Sequence, residues 1–117
     1  MFTRVERCYR EDDTLEWMER IRTDGTTEWK EYYRSDGTLE LVKYYSPTGA
    51  LEKVETYTQE GLRERVEFYR PDGSLEVTEF YGPGEQLERI EYEWEELRQW
   101  ISRHSRRSKM RDERLQQ

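Results

Sequence analysis

The residues from Glu67 to Phe80 read EFYRPDGSLEVTEF, and they contain a turn between two segments of alternating side chains. In Arg70-Pro71-Asp72-Gly73, proline fixes φ at the second position and glycine accepts the left-handed conformation at the fourth, which predicts a type I turn with a bulge. The flanking segments place apolar or aromatic residues two apart, as half-buried β-strands do. The stretch therefore predicts a β-hairpin.

The same turn recurs along the chain, as in YRSDGTLELV from Tyr33 and YSPTGALEKV from Tyr45. The turn recurs with a period of 12 residues. Its fourth position falls at Asp13, Gly25, Gly37, Gly49, Gly61, Gly73 and Glu85. A glutamate follows three residues after each. This spacing predicts successive antiparallel strands joined by short turns. Because Gly82-Pro83-Gly84 departs from the pattern, we expect the last turn to be locally rearranged.

The period predicts a mainly β fold, an open, twisted, single-layer antiparallel meander of about eight strands over residues 1–92. Glutamate on both faces leaves no dry interior, which favours an open sheet over a closed barrel. Residues 93–105 are expected to form one C-terminal α-helix packed on one face, near Phe68, Val77 and Ile90. Residues 106–117 are expected to form a basic, flexible tail.

A four-residue turn would pair Phe68 with Leu75, Glu67 with Glu76 and Val66 with Val77. Repeated across the sheet, that register collects the glutamates into continuous rows, one on each face. One row would hold Glu16, Glu31, Glu40, Glu55, Glu64, Glu79 and Glu88, with Arg7 at one end, and the other Glu19, Glu28, Lys43, Glu52, Glu67, Glu76 and Glu91. Because directly opposed like charges destabilise a sheet, we expect these rows to lie in water or to attract cations.

One face of the expected sheet divides into an apolar half and a basic half. The basic half, toward the C-terminus, would contain Arg63, Arg65, Thr78 and Arg89. A single layer leaves at least one face uncovered, and an exposed apolar patch is typical of a binding surface. The candidate protein-binding residues are Leu15, Trp17, Tyr32, Leu39, Leu41 and Tyr45. They would bind another protein, or a second copy in a homodimer.

The charge of the chain is acidic overall and uneven. The 117 residues carry a net charge of −7, which divides into −12 over residues 1–96 and +5 over residues 97–117. The basic end suggests a nucleic acid or a membrane surface as a partner. Because the acidic body would repel phosphates, neither partner is expected. An acidic sheet could instead act as a phosphate mimic against a nucleic-acid-binding protein. Without a long apolar run or a signal-peptide pattern, the expected location is the cytoplasm.

The residue types needed for catalysis are sparse. Cys8 and His104 are the single cysteine and the single histidine, so neither a disulfide framework nor a zinc site of the paired-cysteine type is expected. Carboxylate pairs such as Glu31 and Glu40 recur without a neighbour that would separate their acid and base roles. We therefore expect no enzyme activity, no cofactor and no metal site, although calcium binding by the glutamate rows stays open.

The units YYRSDGTLE, YYSPTGALE and FYRPDGSLE resemble the tyrosine-glycine repeats of the YwqK-type antitoxin family and, more loosely, the MORN repeat. The resemblance covers residues 9–92. It implies a protein-binding scaffold with a toxin-neutralising role. The expected function is accordingly a non-catalytic protein–protein interaction module.

Overall fold

The computed structural model describes residues 3–93 as one antiparallel sheet whose eight strands follow in sequence order. The strands are β1 (Arg4–Tyr9), β2 (Leu15–Ile21), β3 (Thr27–Tyr33), β4 (Leu39–Tyr45), β5 (Leu51–Tyr57), β6 (Arg63–Tyr69), β7 (Leu75–Tyr81) and β8 (Leu87–Tyr92). The prediction of an eight-stranded open meander is confirmed. The predicted helix over 93–105, apart from Glu93, and the predicted tail over 106–117 lie outside the described residues.

All seven turns have the same backbone geometry. In the turn after β6, the Gly73 N–H donates to the Arg70 carbonyl at 2.9 Å, and the Arg70 N–H donates to the Ser74 carbonyl at 2.8 Å. Gly73 has a φ of 90°, which glycine adopts without strain. The last turn makes the same two hydrogen bonds, from Gly82 to Gln86 and from Glu85 to Gly82. The prediction that this turn is rearranged was wrong.

The strand register differs from the prediction by two residues. Tyr69 pairs with Leu75, Phe68 pairs with Val77, and the register shifts between Phe68 and Tyr69. The loop between the paired residues Tyr69 and Leu75 is one residue longer than expected, and Glu76, the second residue of β7, is passed over as a bulge. Every hairpin repeats this shift.

The predicted glutamate rows do not form in the described sheet. On one face, Glu55 pairs with Val42 and Val66 rather than with other glutamates. Bulge glutamates such as Glu40 and Glu76 are exposed. The bulge therefore removes the opposed like charges that the predicted register would have imposed.

Burial in this single layer comes from cross-strand neighbours. Val42 and Val66 are buried on one face, which we call the Glu55 face, and Val54 is buried on the other, which we call the Trp17 face. Val66 is the most enclosed, at 2% exposure. Extensive contacts within the described region join each strand only to its sequence neighbours. Both faces are therefore left without a covering layer in residues 3–93.

Arginines tie alternate turns together along each end of the sheet. Arg34 donates to the Leu39 carbonyl at 3.0 Å within its own hairpin and to the Tyr57 carbonyl at 2.5 Å, two strands further on. The same contacts recur at Arg10, Arg22 and Arg70. A charged donor shared between two backbone carbonyls holds the strand ends in register. We call this arrangement the arginine clamp.

Candidate protein-binding face

An apolar row spans three neighbouring strands, β2 to β4, on the Trp17 face. Trp17 pairs directly with Tyr32, and Tyr32 pairs directly with Leu41. Directly paired residues in an antiparallel sheet have their side chains about 5 Å apart on the same face. All three side chains are half-buried by one another. The structure therefore brings these three predicted site residues into one patch.

Two lysines flank that row and lie against its rings. The Lys30 Nζ is 4.0 Å from the centroid of the Trp17 ring, and the Lys43 Nζ is 5.2 Å from the centroid of the Tyr32 ring. Lys30 and Lys43 are themselves a directly paired couple, so two like charges are adjacent at the centre of the patch. Cation–π contact stabilises each ammonium group by about 0.5–1 kcal/mol at exposed sites. The patch thus combines apolar area with local positive charge.

Tyr45 borders a shallow depression on the same face. The depression has a volume of about 310 Å³ and is lined by Glu19, Thr27, Lys30 and Tyr45, together with the turn residues Thr26 and Gly49. The Thr27 hydroxyl donates to the Glu19 carboxylate at 3.2 Å. Burial, followed by the neighbouring Tyr32 and Glu19, raises the pKa of the Tyr45 phenol. Tyr45 is therefore a fourth predicted site residue on the Trp17 face.

Leu15 and Leu39 do not belong to this patch. Leu39 pairs with Tyr33, which follows Tyr32 along β3 and therefore lies on the opposite face, and Leu15 pairs with Tyr9 in the same manner. The bulge at the second residue of each strand reverses the alternation between the first and third residues. The six predicted residues thus divide into four on the Trp17 face and two on the Glu55 face.

The predicted basic half is also divided. Arg65 and Arg89 are on the Trp17 face, where both pair with Phe80, and the Arg89 guanidinium lies 4.1 Å from the centroid of the Phe80 ring. Arg63 is on the Glu55 face, where its Nη1 is 3.4 Å from a Glu55 oxygen. Arg65 and Arg89 also contact Glu67 and Glu91, at 3.8 and 2.9 Å. On this half of the Trp17 face, the arginines are therefore paired with neighbouring glutamates.

A buried polar cluster on the Glu55 face was missed in the sequence. Glu55 is only 7% exposed and accepts hydrogen bonds from the Tyr44 hydroxyl at 2.7 Å and the Tyr57 hydroxyl at 3.1 Å. Arg63 is the third partner, and its guanidinium lies 4.5 Å from the centroid of the Tyr81 ring. The available signal was Arg63 itself, because the equivalent position on this face is leucine in β2, β4 and β8.

The electrostatics of this cluster favour the ionised form of the Glu55 carboxylate. Burial opposes ionisation of Glu55, but hydrogen bonds from Tyr44, the charge of Lys53, and contacts with Tyr57 and Arg63 outweigh it, so its pKa is lowered. Burial and the Glu55 charge raise the pKa of Tyr57 to about 12. A buried carboxylate that accepts hydrogen bonds from three partners stabilises the sheet, although the Arg63 Nε is itself buried without a hydrogen-bond partner. We assign it a structural role.

Within residues 3–93, no group of three or more His, Cys, Asp or Glu side chains is arranged to hold a metal ion. Cys8 is a free, half-buried thiol in β1, whereas His104 lies outside the described residues. The part of the chain that the structure describes also contains no helix long and apolar enough to cross a membrane.

Two solved structures contain a similar sheet. A chain in the crystal structure of accessory secretory protein 1, 2 and 3 in Streptococcus pneumoniae matches with a TM-score of 0.60 at 16% identity, over 78% of this chain and 17% of its own. A chain of the GtfA/B complex bound to UDP and GlcNAc matches with a TM-score of 0.58 at 16% identity, over 78% of this chain and 20% of its own. This chain thus corresponds to about a fifth of each neighbour's length, and the likeness shows the fold alone.

No protein-family model and no curated protein matches the chain. The resemblance to YwqK-type and MORN repeats accordingly stays a prediction.

Proposed function

We propose that the protein is a non-catalytic protein–protein interaction module that binds another protein through its Trp17 face. The observation that supports this most is the row of Trp17, Tyr32 and Leu41, directly paired across three strands on a face that no described element covers. Binding hot spots in protein interfaces are enriched in Trp and Tyr at the centre of such patches.

The patch is pre-organised for binding. Lys30 restrains the Trp17 ring and Lys43 restrains the Tyr32 ring, so less side-chain freedom is lost when a partner covers them. Trp and Tyr also present a large contact area with few rotatable bonds. We therefore place the affinity in Trp17 and Tyr32, with Leu41 and Tyr45 at their border.

The partner surface should be apolar with one or two carboxylates. Lys30 and Lys43 are adjacent, so their mutual repulsion is relieved when a carboxylate approaches between them. Charges further away than about 8 Å are largely screened at physiological ionic strength. The field at the patch is therefore set by these two lysines and by Glu19, which pairs directly with Lys30, and its local net charge is +1 even though the protein is acidic overall.

Neutralisation of a partner protein, as an antitoxin or immunity protein does, is the form of this function that the repeat resemblance suggests. A phosphate-mimic role is less well supported, since the continuous glutamate rows on which it depended are absent from the described sheet. A symmetric dimer through the Trp17 face would bring the lysines of two copies together, which disfavours it.

The experiment is affinity capture with three baits, the wild type, Trp17→Glu and Trp29→Glu. Trp29 is the matched control, because it is also a half-buried strand tryptophan but pairs with Tyr44 on the Glu55 face. Thermal unfolding establishes that each bait is folded. We expect a partner that is captured by the wild type and by Trp29→Glu and is lost with Trp17→Glu. Retention by Trp17→Glu, or equal loss with both variants, would reject the Trp17 face as the binding surface.

A further inference from the structure

Strand β1 forms one edge of the described sheet and pairs there only with β2. Five of its six residues are exposed, and they include the apolar Val5, which is 40% exposed. An edge strand of this kind presents a row of backbone donors and acceptors to solvent. The part of the chain that the structure describes therefore leaves β1 open to one further strand.

The backbone of β1 determines which of its residues a further strand would hydrogen-bond. The Arg10 N–H donates to the Thr14 carbonyl at 2.8 Å, so it points toward β2. Because N–H groups alternate in direction along a strand, those of Thr3, Val5 and Arg7 point away from β2. An added antiparallel strand would therefore form its hydrogen-bonded pairs with these three residues.

The sequence of β1 is complementary to itself in one antiparallel register. If Val5 faces Val5 of a second copy, Arg4 of each chain faces Glu6 of the other. Arg4 and Glu6 are then at the non-hydrogen-bonded positions, where opposed side chains approach most closely. A shift of two residues in either direction would oppose Arg4 to Arg4 or Glu6 to Glu6. The charges of β1 thus favour one register over its neighbours.

The charges beside β1 also favour a cation on its open side. Glu6 pairs directly with Glu19 of β2, and opposed like charges destabilise a sheet. Glu19 has Lys30 on its other side, whereas Glu6 contacts the Arg4 of its own strand, with 3.1 Å between Nε and Oε1. In the register with Val5 facing Val5, the Arg4 of the second copy lies across from Glu6. The two carboxylates then have a cation on each side.

We propose that a second copy of this chain pairs with β1 across a two-fold axis, with Val5 facing Val5, so that two sheets join into one. Charges on an edge strand usually prevent such pairing. Here Arg4 and Glu6 instead attract the same strand of another copy, because they exchange places across the axis. The contact uses the β1 edge of both chains and therefore closes at a dimer. It does not involve the Trp17 face and is independent of what binds there.

The test uses the full chain and reverses the two charges separately and together. Arg4→Glu opposes two carboxylates and Glu6→Arg opposes two guanidinium groups, whereas the double variant R4E/E6R restores the attraction with the net charge of the wild type. Both positions are exposed, so the isolated sheet should tolerate the changes. Glu64→Arg, at an exposed position of β6, is the control for a reversed charge away from the edge. Thermal unfolding checks that each variant is folded.

Light scattering over a wide range of concentration gives the mass. We expect the wild type, Glu64→Arg and R4E/E6R to reach twice the mass of one chain, and Arg4→Glu and Glu6→Arg each to remain monomeric. An equimolar mixture of these two single variants should again dimerise, because every carboxylate then faces a guanidinium group. A monomeric wild type, growth of the wild type beyond a dimer, dimerisation of either single variant alone, or a monomeric mixture would overturn the proposal.

Discussion

At the scale of single residues, backbone strain is concentrated at the two turns whose left-handed position is not occupied by glycine. Asp13 and Glu85 have φ values of 71° and 61°, whereas the five equivalent glycines have values of 87° to 92°. Left-handed backbone conformation costs a residue with a Cβ about 1–2 kcal/mol. The repeat tolerates this cost at its first and last turns.

We expect Asp13→Gly to increase the free energy of unfolding by about 1 kcal/mol. Urea unfolding measures the change. Glu85→Gly is the informative comparison, because it relieves similar strain but removes the Glu85 Oε1 that accepts the Arg63 N–H at 3.0 Å. The increase in the free energy of unfolding should therefore be smaller for Glu85→Gly than for Asp13→Gly. A loss of stability in Asp13→Gly would contradict the assignment of strain to this turn.

Glu55 gives the sheet a predictable response to acid. Its pKa is below the ordinary value of 4.5, so its contribution to stability is complete above that value and is lost as the pH falls through the lower, folded-state pKa. Glu55→Gln should lower the free energy of unfolding by about 1–3 kcal/mol at pH 7, through loss of charge-assisted hydrogen bonds. The difference in the free energy of unfolding between Glu55→Gln and the wild type should shrink as the pH is lowered toward 3.

Chemical unfolding at several pH values checks this prediction, with Glu40→Gln, at an exposed position, as the control for loss of one charge. A difference between Glu55→Gln and the wild type that does not change with pH would show that the ionised carboxylate is not what the cluster stabilises.

The sequence correctly predicted the face of those side chains whose position depends only on alternation along a single strand. The contiguity of Trp17, Tyr32 and Leu41 follows from alternation, which the bulge leaves intact at central positions. Leu15 and Leu39 were misplaced because they precede the bulge. The Glu55 cluster depends on side chains from three strands and on the choice of rotamer, which no repeat pattern specifies.

At the scale of elements, the arginine clamp explains why the turns do not stabilise the sheet equally. Arg10, Arg22 and Arg34 each reach a carbonyl two strands away, whereas Ser46 and Thr58 occupy the same turn position with side chains too short to do so. In the clamped turns, an aspartate such as Asp36 also accepts hydrogen bonds from the N–H and hydroxyl of Thr38. The turn at residues 46–50 has neither feature.

We expect the triple variant S46R/T48D/A50T to increase the free energy of unfolding by about 1–2 kcal/mol, because it supplies both features. The new arginine should reach the Tyr69 carbonyl. Thermal or urea unfolding measures the gain, and Arg34→Ser, which removes an existing clamp, should lose a similar amount. If the triple variant is no more stable than the wild type, the clamp contributes little to the sheet.

The elements themselves could be predicted, but their register could not. The 12-residue period located all eight strands, since turn chemistry and alternation are local properties. A register error of one residue would have exposed the apolar face, whereas an error of two residues leaves every central side chain on its correct face. The pattern therefore could not distinguish Phe68 paired with Leu75 from Phe68 paired with Val77. The turn hydrogen bonds and the bulge at Glu76 determine the observed pairing.

At the scale of the whole molecule, the described residues form a single-layer sheet in which extensive contacts join each strand only to its sequence neighbours. No second layer of those residues covers either face, so both can contact a partner. Each strand is stabilised by the one before and the one after, as in other repeat proteins. The Trp17 face and the two strand edges are consequently separate surfaces, with separate chemistry.

Oxidative footprinting of the complex with a captured partner is the sharpest test of the Trp17 face as the binding surface, because it reports the solvent exposure of each aromatic side chain. We expect Trp17, Tyr32 and Tyr45 to become protected when the partner binds, while Trp29 and Tyr44 on the Glu55 face are oxidised as in the free protein. Protection of Trp29 and Tyr44, with Trp17 and Tyr32 unchanged, would contradict it.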